Sequence, residues 1–456
     1  MAQDSVKFVD HLAFAFKTTV AAMGNSSPST TQAGTAQEES KRVMEAMSVL
    51  SDKSTTQAQR RPHFEWLRGH LAPDNSRSQA FSNELSRVFA LRFQKWSSPP
   101  GSDAWSPELK KRLADSIRGC LFGAALGDAA GVATEFLDQA TVAAFYGAGY
   151  DYAPGCQVYA DTHRISFPAG DWTDDTDQQL LILQSLLQTS GVPDICDFAR
   201  RLSQWKDGGF PGLGDQGGSG LGATTKAVIN RNGFQSDPKS AAVAVWESRQ
   251  RQLASNGAVM RTAVIGATSF WDLSAVESNT AELCLATHAD PRCVASCVVV
   301  TTLVAQYLQS MVQAEEQSSG LPTQQALLAG ALKRAEALLE SPDDQAELAR
   351  HATCVDLADL ALDDPKAIGY TYKCLGAGCW AWQKVPELGF KTAISAVVEQ
   401  AGDADTNATV AGALAGCLVG YSGLPKEWID RMPYAHWLEA WVQKLLFMLE
   451  LPVVSQ

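Results

Sequence analysis

The sequence lacks the patterns that mark several common classes of protein. Its ten cysteines include no CxxC pair and its seven histidines show no zinc-type spacing, so we predict neither a disulfide framework nor a structural zinc site. No run reaches the roughly 18 unbroken apolar residues of a membrane span. The N-terminus has no basic stretch followed by an apolar core, so we expect no secretory signal.

The chain is also poor in basic charge. It carries 37 basic and 50 acidic side chains, for a formal net charge of −13. Because no basic field is available for nucleic acid, we expect no direct nucleic-acid binding. Several cysteines lie in apolar helical patterns, which favours free thiols and a reducing compartment. We expect a monomer in the cytoplasm, with an organelle or the nucleus as alternatives, and no membrane association.

Strand signals are missing as well. No stretch of any length in the main domain alternates apolar and polar residues, whereas apolar residues recur at helical spacing over 109–130, 292–311, 370–382 and 436–449. The first of these predicted helices carries closely spaced glycines and alanines, so we expect it to approach its neighbours closely and to lie centrally. The predicted fold class is all-α, a compact domain of many short helices.

Composition divides the chain into two parts. A linker at 97–102 precedes a main domain that we place at 106–456. Residues 1–105 form an N-terminal extension with some helices, the first of them a short helix over residues 1–24. Within the extension, residues 25–40 are low in bulky apolar groups and are predicted to be disordered. Within the main domain, we expect 312–325 and 341–366 to be polar and irregular.

Two acidic motifs open predicted helices far apart in the chain. Thr173, Asp174 and Asp175 precede one helix, and the run 402–407, Gly-Asp-Ala-Asp-Thr-Asn, precedes another. Each motif alone also fits an ordinary helix N-terminus, with a capping threonine and acids against the helix dipole. If the two starts face each other, six side chains supply enough oxygens for a pair of Mg²⁺ or Mn²⁺ ions, namely Thr173, Asp174, Asp175, Asp403, Asp405 and Thr406. Four carboxylates brought together without a cation would repel one another strongly, which is the physical argument for metal.

Other candidate site residues are less specific. The glycine-rich loop 207–222 precedes a predicted helix start at 223–229 and could cradle a phosphate, although it lacks the lysine of a P-loop and also fits a flexible connection. Glu135 has mostly apolar neighbours and is either a surface residue or an acid of the site. His288 lies at a helix end, where histidine is more often structural than catalytic.

In their order, these stretches resemble the ADP-ribosylglycohydrolases, which include the dinitrogenase-reductase-activating glycohydrolase. The resemblance runs from about residue 116 to 428 and rests on six short stretches, at 119–131, 173–176, 256–261, 287–288, 402–406 and 423–428. It implies an all-α fold with two Mg²⁺ or Mn²⁺ ions held by the six residues named above. It also implies hydrolysis of the ribosyl C1″ bond of ADP-ribosylated protein side chains or small acceptors, with release of ADP-ribose.

The resemblance also assigns roles within the site. Glu135 matches the acid on a mobile loop, and Glu135, Asp174 and Asp175 are the predicted catalytic residues. The residues that match positions holding the diphosphate, the distal ribose or the wall of the site are Gly220, Gly222, Ser255, Asn256, Gly257 and His288.

The chain departs from the family pattern at three places. Many members that cleave ADP-ribosyl-arginine carry a D-x-G motif where this chain has Gly220-Leu-Gly222, which is closer to members that cleave O-linked ADP-ribose. Ser255 replaces a glycine, and Asn407 follows the last ligand where threonine or a small residue is common. None of the three removes a predicted ligand. The alternatives are a catalytically inactive structural or ADP-ribose-binding relative of the same fold, and a metal hydrolase acting on another ribosyl compound.

Overall fold

A computed structural model describes residues 30–71, 88, 91, 96 and 98–453. Across these residues the elements are helices, and the single backbone pairing of β type is an isolated bridge between Ser255 and Tyr370. The predicted all-α class is therefore confirmed. The predicted helix over residues 1–24 lies outside the described residues.

The helices are α1 (Thr30–Ser51), α2 (Gln57–Leu71), α3 (Pro107–Gly131), α4 (Gln139–Tyr146), α5 (Asp174–Gln188), α6 (Ile195–Gly208), α7 (Ala223–Ile229), α8 (Pro238–Ser248), α9 (Ala263–Thr268), α10 (Leu273–Leu285), α11 (Pro291–Gln317), α12 (Gln324–Glu336), α13 (Pro342–Ala352), α14 (Thr371–Leu388), α15 (Phe390–Val398), α16 (Ala404–Val419), α17 (Lys426–Ile429) and α18 (Ala435–Met448). Short 3₁₀ turns are Ser102–Ala104, Arg164–Ser166, Val259–Arg261, Leu357–Leu360 and Tyr421–Gly423.

The first of two compact units consists of α1, α2 and residues 157–169. The Gln57 side-chain amide donates to the Ala160 carbonyl at 3.2 Å and accepts from the Ala160 N–H at 2.9 Å. Helix α1 begins at Thr30, inside the segment 25–40 that we expected to be disordered. Alanine, glutamine and glutamate favour helix even without bulky apolar groups, and the prediction of disorder underweighted them.

A seam of small residues between α3 and α16 forms the centre of the second unit. Glycines recur every four residues along α3, and a Cβ on any of them would come closer than 3.0 Å to the backbone of α16 or of its flanking residues. The facing pairs of this glycine seam are Gly119 with Gly416, Gly123 with Gly412, Gly127 with Ala408, and Gly131 with Asp405. The expected close approach of this helix is confirmed, and the seam sets the end of α3 against the start of α16.

Other helices surround this pair. Helix α14 packs on α16, and α11 contacts both α14 and α3. By length and composition α11 could cross a membrane, but 83% of its apolar window is buried inside the fold, as in the core helix of a globular domain. The segments expected to be irregular are partly helical, because α11 continues to Gln317 and α13 occupies 342–352. Helix α13 has a capping serine at Ser341 followed by proline at the first helical position, a start signal that the prediction missed.

The main domain starts on a similar signal. Ser106 caps α3 by accepting a hydrogen bond from the Leu109 N–H at 3.0 Å, and Pro107 is the first helical residue. The division of the chain at residues 105 and 106 stays a prediction.

Candidate metal centre

The first acidic motif forms the start of α5, where the backbone is held by a third element. Thr173 caps the helix, and its hydroxyl accepts from the Asp175 N–H at 3.4 Å. The carboxylate of Asp128, on α3, accepts from the Thr173 N–H at 3.0 Å and from the N–H and hydroxyl of Thr176 at 3.0 and 2.6 Å. Asp128 is fully buried. It therefore fixes the direction in which the first turn of α5 presents its side chains.

The second acidic motif forms the start of α16. Ala401 and Gly402 both have positive φ and turn the chain into the helix. Asp403 is the N-cap residue of α16. The Asp405 carboxylate accepts from the Thr406 N–H at 2.8 Å. Its other oxygen accepts from the Thr173 hydroxyl at 3.5 Å, across 232 positions of sequence. The structure thus brings together the two helix starts that the sequence analysis paired.

Carboxylates converge where these starts meet. Oxygens of Asp128, Asp175 and Asp405 lie within 4.8 Å of one another, and so do oxygens of Glu135, Asp403 and Asp405. Asp174 is in neither group of three. One of its oxygens accepts from the Gln178 amide at 2.5 Å, and the other faces Gly220.

Glu135 is buried in the turn after α3, only 5% exposed, so the surface alternative is wrong. Reciprocal backbone hydrogen bonds hold this turn to the residue before Asp403. The Phe136 N–H donates to the Gly402 carbonyl at 2.6 Å, and the Gly402 N–H donates to the Leu137 carbonyl at 3.1 Å. Phe136 itself has a φ of 58° and is 55% exposed. The turn therefore brings Glu135 to the acids at the start of α16.

Burial dominates the electrostatics of the cluster. It raises the pKa of Asp175 well above the usual range, with the charges of Asp128 and Asp174 adding to the effect. Burial and then Glu135 raise the pKa of Asp405 in the same way, and raise that of Asp403 to about 6. Without a cation, these carboxyls would therefore keep their protons to a higher pH than isolated aspartates do.

A divalent cation fits this donor set. One oxygen of Asp175 is buried with no hydrogen-bond partner, although nearby carboxylates would repel its charge. A buried carboxylate oxygen without a donor is costly unless an ion supplies the missing interaction. The surrounding ligand atoms are carboxylate and hydroxyl oxygens, which hard cations such as Mg²⁺ and Mn²⁺ prefer. The residues present therefore fit the metal that the resemblance implies.

Two of the predicted substrate-binding residues border the cluster at the glycine-rich loop. Gly220 has a φ of 97°, and a Cβ there would collide with a carboxylate oxygen of Asp174, so both its conformation and its space require glycine. Gly222 caps α7, with open space around its missing side chain. The N-terminus of α7 therefore lies next to the metal ligands.

The second substrate loop lies on another side of the cluster. The Asn256 side-chain amide donates to Asp403 at 2.9 Å. The Ser255 hydroxyl donates to Thr224 at 2.8 Å and lies 3.0 Å from Nε2 of His288. A Cβ on Gly257 would lie 3.2 Å from the same imidazole. His288 is buried, and burial together with Arg261 lowers its pKa to about 3, so the ring is neutral.

Sequence reasoning missed Asp128 as a member of the site. It lies in the last turn of an apolar, glycine-rich helix, where a charged residue is rarely buried without a partner, and that mismatch was an available signal. It also missed Gln178, whose amide donates to Asp174, and Arg261, which donates to Gln178. Gln178 belongs to no pattern that would distinguish it from an ordinary helix residue, whereas Arg261 ends the matching stretch 256–261, which was an available signal.

The chain is similar to proteins of one known family. The chain matches the family model described as ADP-ribosylglycohydrolase over residues 109–452. It is 25% identical over 390 residues to the ADP-ribosylarginine hydrolase Tri1 of Pseudomonas putida strain GB-1, covering 82% of this chain and 90% of that protein. It is 26% identical over 344 residues to the protein of the same name from Serratia proteamaculans strain 568, covering 73% of this chain and 80% of that one.

An uncharacterised protein of Archaeoglobus fulgidus is 26% identical over 350 residues, covering 73% of this chain and 96% of its own. Among solved structures, an ADP-ribosylglycohydrolase-related protein complex superimposes with a TM-score of 0.52 at 23% identity, covering 74% of this chain and 99% of that one. This structural likeness supports the fold.

Proposed function

Because the chain belongs to the ADP-ribosylglycohydrolase family, we propose that it is a metal-dependent hydrolase that releases ADP-ribose from ADP-ribosylated protein side chains or small acceptors. The observation that carries the proposal is the meeting of the α5 and α16 starts. There the Thr173 hydroxyl reaches Asp405 while a buried oxygen of Asp175 has no partner. An inactive relative would have no need to keep so many carboxylates buried together, because each is costly without an ion.

Six side chains would hold the cations in this proposal, with Asp128 fixing the helix that presents three of them. These are Thr173, Asp174, Asp175, Asp403, Asp405 and Thr406. We propose two Mg²⁺ or Mn²⁺ ions, as the family resemblance implies, and the carboxylates of Asp175, Asp403 and Asp405 that converge here support a cation site. When bound, such ions offset the carboxylate charge, coordinate ribose hydroxyls and make water more acidic.

Glu135 is the residue best placed to accept the proton of the water that attacks the ribosyl C1″ carbon. It is buried and shares its surroundings with Asp403 and Asp405, yet it lies on a turn rather than on either ligand helix. As the C1–acceptor bond breaks, the ring carbon gains oxocarbenium character and the attacking water must lose a proton. In this proposal the Glu135 carboxylate accepts that proton and returns a proton to the departing atom of the acceptor, which regenerates the carboxylate.

The two substrate loops would orient the rest of ADP-ribose. Backbone N–H groups at the N-terminus of α7 suit an anion such as the diphosphate, and Gly222 leaves space for it. The neutral His288 would support Ser255 and line the site without adding charge. We also propose that the protein acts in the cytoplasm.

The side chain from which the protein removes ADP-ribose can be identified directly. Two relatives are named as ADP-ribosylarginine hydrolases, whereas Gly220-Leu-Gly222 favours O-linked ADP-ribose. Purified protein is therefore incubated with peptides ADP-ribosylated on arginine or on serine, with Mg²⁺, with Mn²⁺ or with EDTA, and released ADP-ribose is measured by mass spectrometry. We expect release from at least one peptide, dependent on metal and lost in Asp174→Ala and Asp403→Ala. Equal activity of the metal-stripped protein would exclude the mechanism.

A thermal-shift measurement separates the alternatives if neither peptide is cleaved. Binding stabilises the native state by mass action. A shift with metal and a further shift with ADP-ribose support a binding protein of this specificity. A metal shift alone points to another ribosyl substrate, and no shift with either points to a structural relative.

A further inference from the structure

Arg261 lies behind the predicted site, in the 3₁₀ turn Val259–Arg261, and is completely buried. Its guanidinium lies over the ring of Phe198, 5.0 Å from the ring centroid. Arginine has only donors and stays charged in proteins, so every group it bonds must accept. That rule fixes the direction of the hydrogen bonds on both sides of Arg261.

On one side the bonds lead to Asp174. One terminal nitrogen of Arg261 donates to the side-chain carbonyl oxygen of Gln178 at 2.5 Å. The amide nitrogen of Gln178 must then point the other way, and it donates to Asp174 at 2.5 Å. Arg261 thereby holds one Asp174 oxygen in place and leaves the other facing Gly220.

On the other side the bonds lead to His288. The second terminal nitrogen of Arg261 donates to the Thr287 hydroxyl at 2.6 Å, and the same hydroxyl lies 2.7 Å from Nδ1 of His288. The Thr287 hydroxyl accepts from Arg261, and among the described residues its own proton has Nδ1 of His288 as the acceptor within hydrogen-bond distance, so Nδ1 is the bare nitrogen. Nε2 then carries the proton and donates to Ser255 at 3.0 Å, and Ser255 donates to Thr224.

We infer that Arg261 is a positioning residue that orients the Asp174 carboxylate through Gln178 and sets the Nε2–H tautomer of His288 through Thr287. The single buried arginine would thus orient one residue of the metal centre and one residue of the substrate loop. The link to the substrate loop rests on the proposed function, whereas the tautomer and the carboxylate orientation do not.

The decisive variant is Thr287→Val, which removes the hydroxyl that links Arg261 to His288 and keeps the shape of the side chain. Long-range ¹H–¹⁵N spectra of the full chain report the tautomer of each histidine, and the His288 signals are identified by their loss in His288→Gln. We expect Nε2–H in the unmodified protein and a changed or mixed tautomer in Thr287→Val. Nδ1–H in the unmodified protein, or an unchanged tautomer in the variant, would overturn the inference.

Thr280→Val is the matched control. Thr280 is equally buried and its hydroxyl bonds to another threonine, Thr301, at 3.0 Å, away from this chain of bonds. It should leave the His288 signals unchanged, and a similar change in both variants would mean that the spectra report general disturbance. If Thr287→Val does not fold, Thr287→Ser keeps the hydroxyl and Arg261→Lys keeps the charge but cannot make both bonds. The inference requires the normal tautomer in the first and a changed one in the second.

Titration with ADP-ribose in the presence of Mg²⁺ completes the test. We expect roughly tenfold weaker binding in Thr287→Val than in Thr280→Val, the loss typical of one buried hydrogen bond. Equal affinities would contradict the link to the substrate loop. Absence of ADP-ribose binding by the unmodified protein would instead refute the proposed function, while the tautomer result would stand.

Discussion

Two buried aspartates in the first turns of α5, Asp175 and Asp177, have different hydrogen-bond surroundings. Asp175 belongs to the cluster with Asp128 and Asp405, and one of its oxygens has no hydrogen-bond partner. Asp177, one half-turn along, has both oxygens occupied by indole N–H groups, from Trp172 at 2.7 Å and Trp205 at 2.9 Å. Burial raises the pKa of both aspartates well above the usual range.

This difference shows that neither burial nor a raised pKa is enough to identify a metal ligand. Each also marks Asp177, whose neighbours Asp215 and Asp171 are acidic. What separates the two is the state of the oxygens. Those of Asp177 are satisfied by the protein, whereas Asp175 is left with an oxygen that an ion could complete. We therefore propose that Asp177 is structural and that Asp175 is a metal ligand, and four experiments test this contrast and the electrostatics of the cluster.

The largest effect should be on activity. Asp175→Asn should reduce ADP-ribose release about a thousandfold or more, since loss of a ligand removes several kcal/mol of metal-derived stabilisation. Asp177→Asn should remain within about tenfold of the unmodified protein, because it changes no ligand. Steady-state release assays at saturating Mg²⁺ measure both. A loss of activity in Asp177→Asn as large as that in Asp175→Asn would abolish the contrast.

The next effect is on the pH dependence of stability without metal. The pKa of Asp128 and of Asp403 is raised to about 6 from an ordinary 3.8, so the folded state binds more protons than the unfolded state between these values. Stability should therefore fall as pH rises through this window, by about 1.4 kcal/mol per pKa unit for each group.

Urea unfolding in EDTA across the window measures this slope. Adding Mg²⁺ should reduce it, because the cation replaces the protons, and Asp403→Asn should reduce it in the metal-free protein. A metal-free protein whose stability rises with pH over the same range would contradict the account.

A smaller effect is expected in the melting temperature of the metal-free protein. Asp175→Asn replaces a carboxyl whose charged form is disfavoured by burial and by its acidic neighbours, and should raise the melting temperature. Asp177→Asn should lower stability by about 1–3 kcal/mol, because one indole N–H loses its acceptor. Differential scanning calorimetry in EDTA compares the two variants. A fall in both would mean that Asp175 is as well satisfied as Asp177.

The smallest effect concerns the indole itself. Trp205→Phe removes one donor from Asp177 and some packing, and should lower stability by about 1–3 kcal/mol. The metal-induced rise in melting temperature should be unchanged, since no ligand is touched. If that rise disappears, Asp177 takes part in holding the ion.

Much of this architecture could be predicted from the sequence, because its signals are local. Helical spacing gave the fold class, the glycines along α3 gave its close contact, and the two acidic helix starts gave the predicted ligands. Ala223–Ile229 was predicted at the bounds that the structure shows.

The parts that could not be predicted depend on which side chains meet. Asp128 looks like one acid in a helix, and nothing in its neighbours says that it binds the first turn of α5. Arg261 and Thr287 are 26 positions apart and meet through tertiary packing. The positive φ of Phe136 is imposed by its pairing with Gly402, which no local propensity encodes.

The glycine seam has a consequence for synthesis on the ribosome. It joins a helix near the start of the main domain to one near its end, and contacts beside it, such as the Thr134 hydroxyl with the Val398 carbonyl, span 264 positions. Contacts of such long range form late and slow folding. A nascent chain therefore exposes the glycine-rich face of α3 until almost the whole domain has emerged. A prematurely terminated product lacks Asp403 and Asp405, and with them part of the acidic cluster.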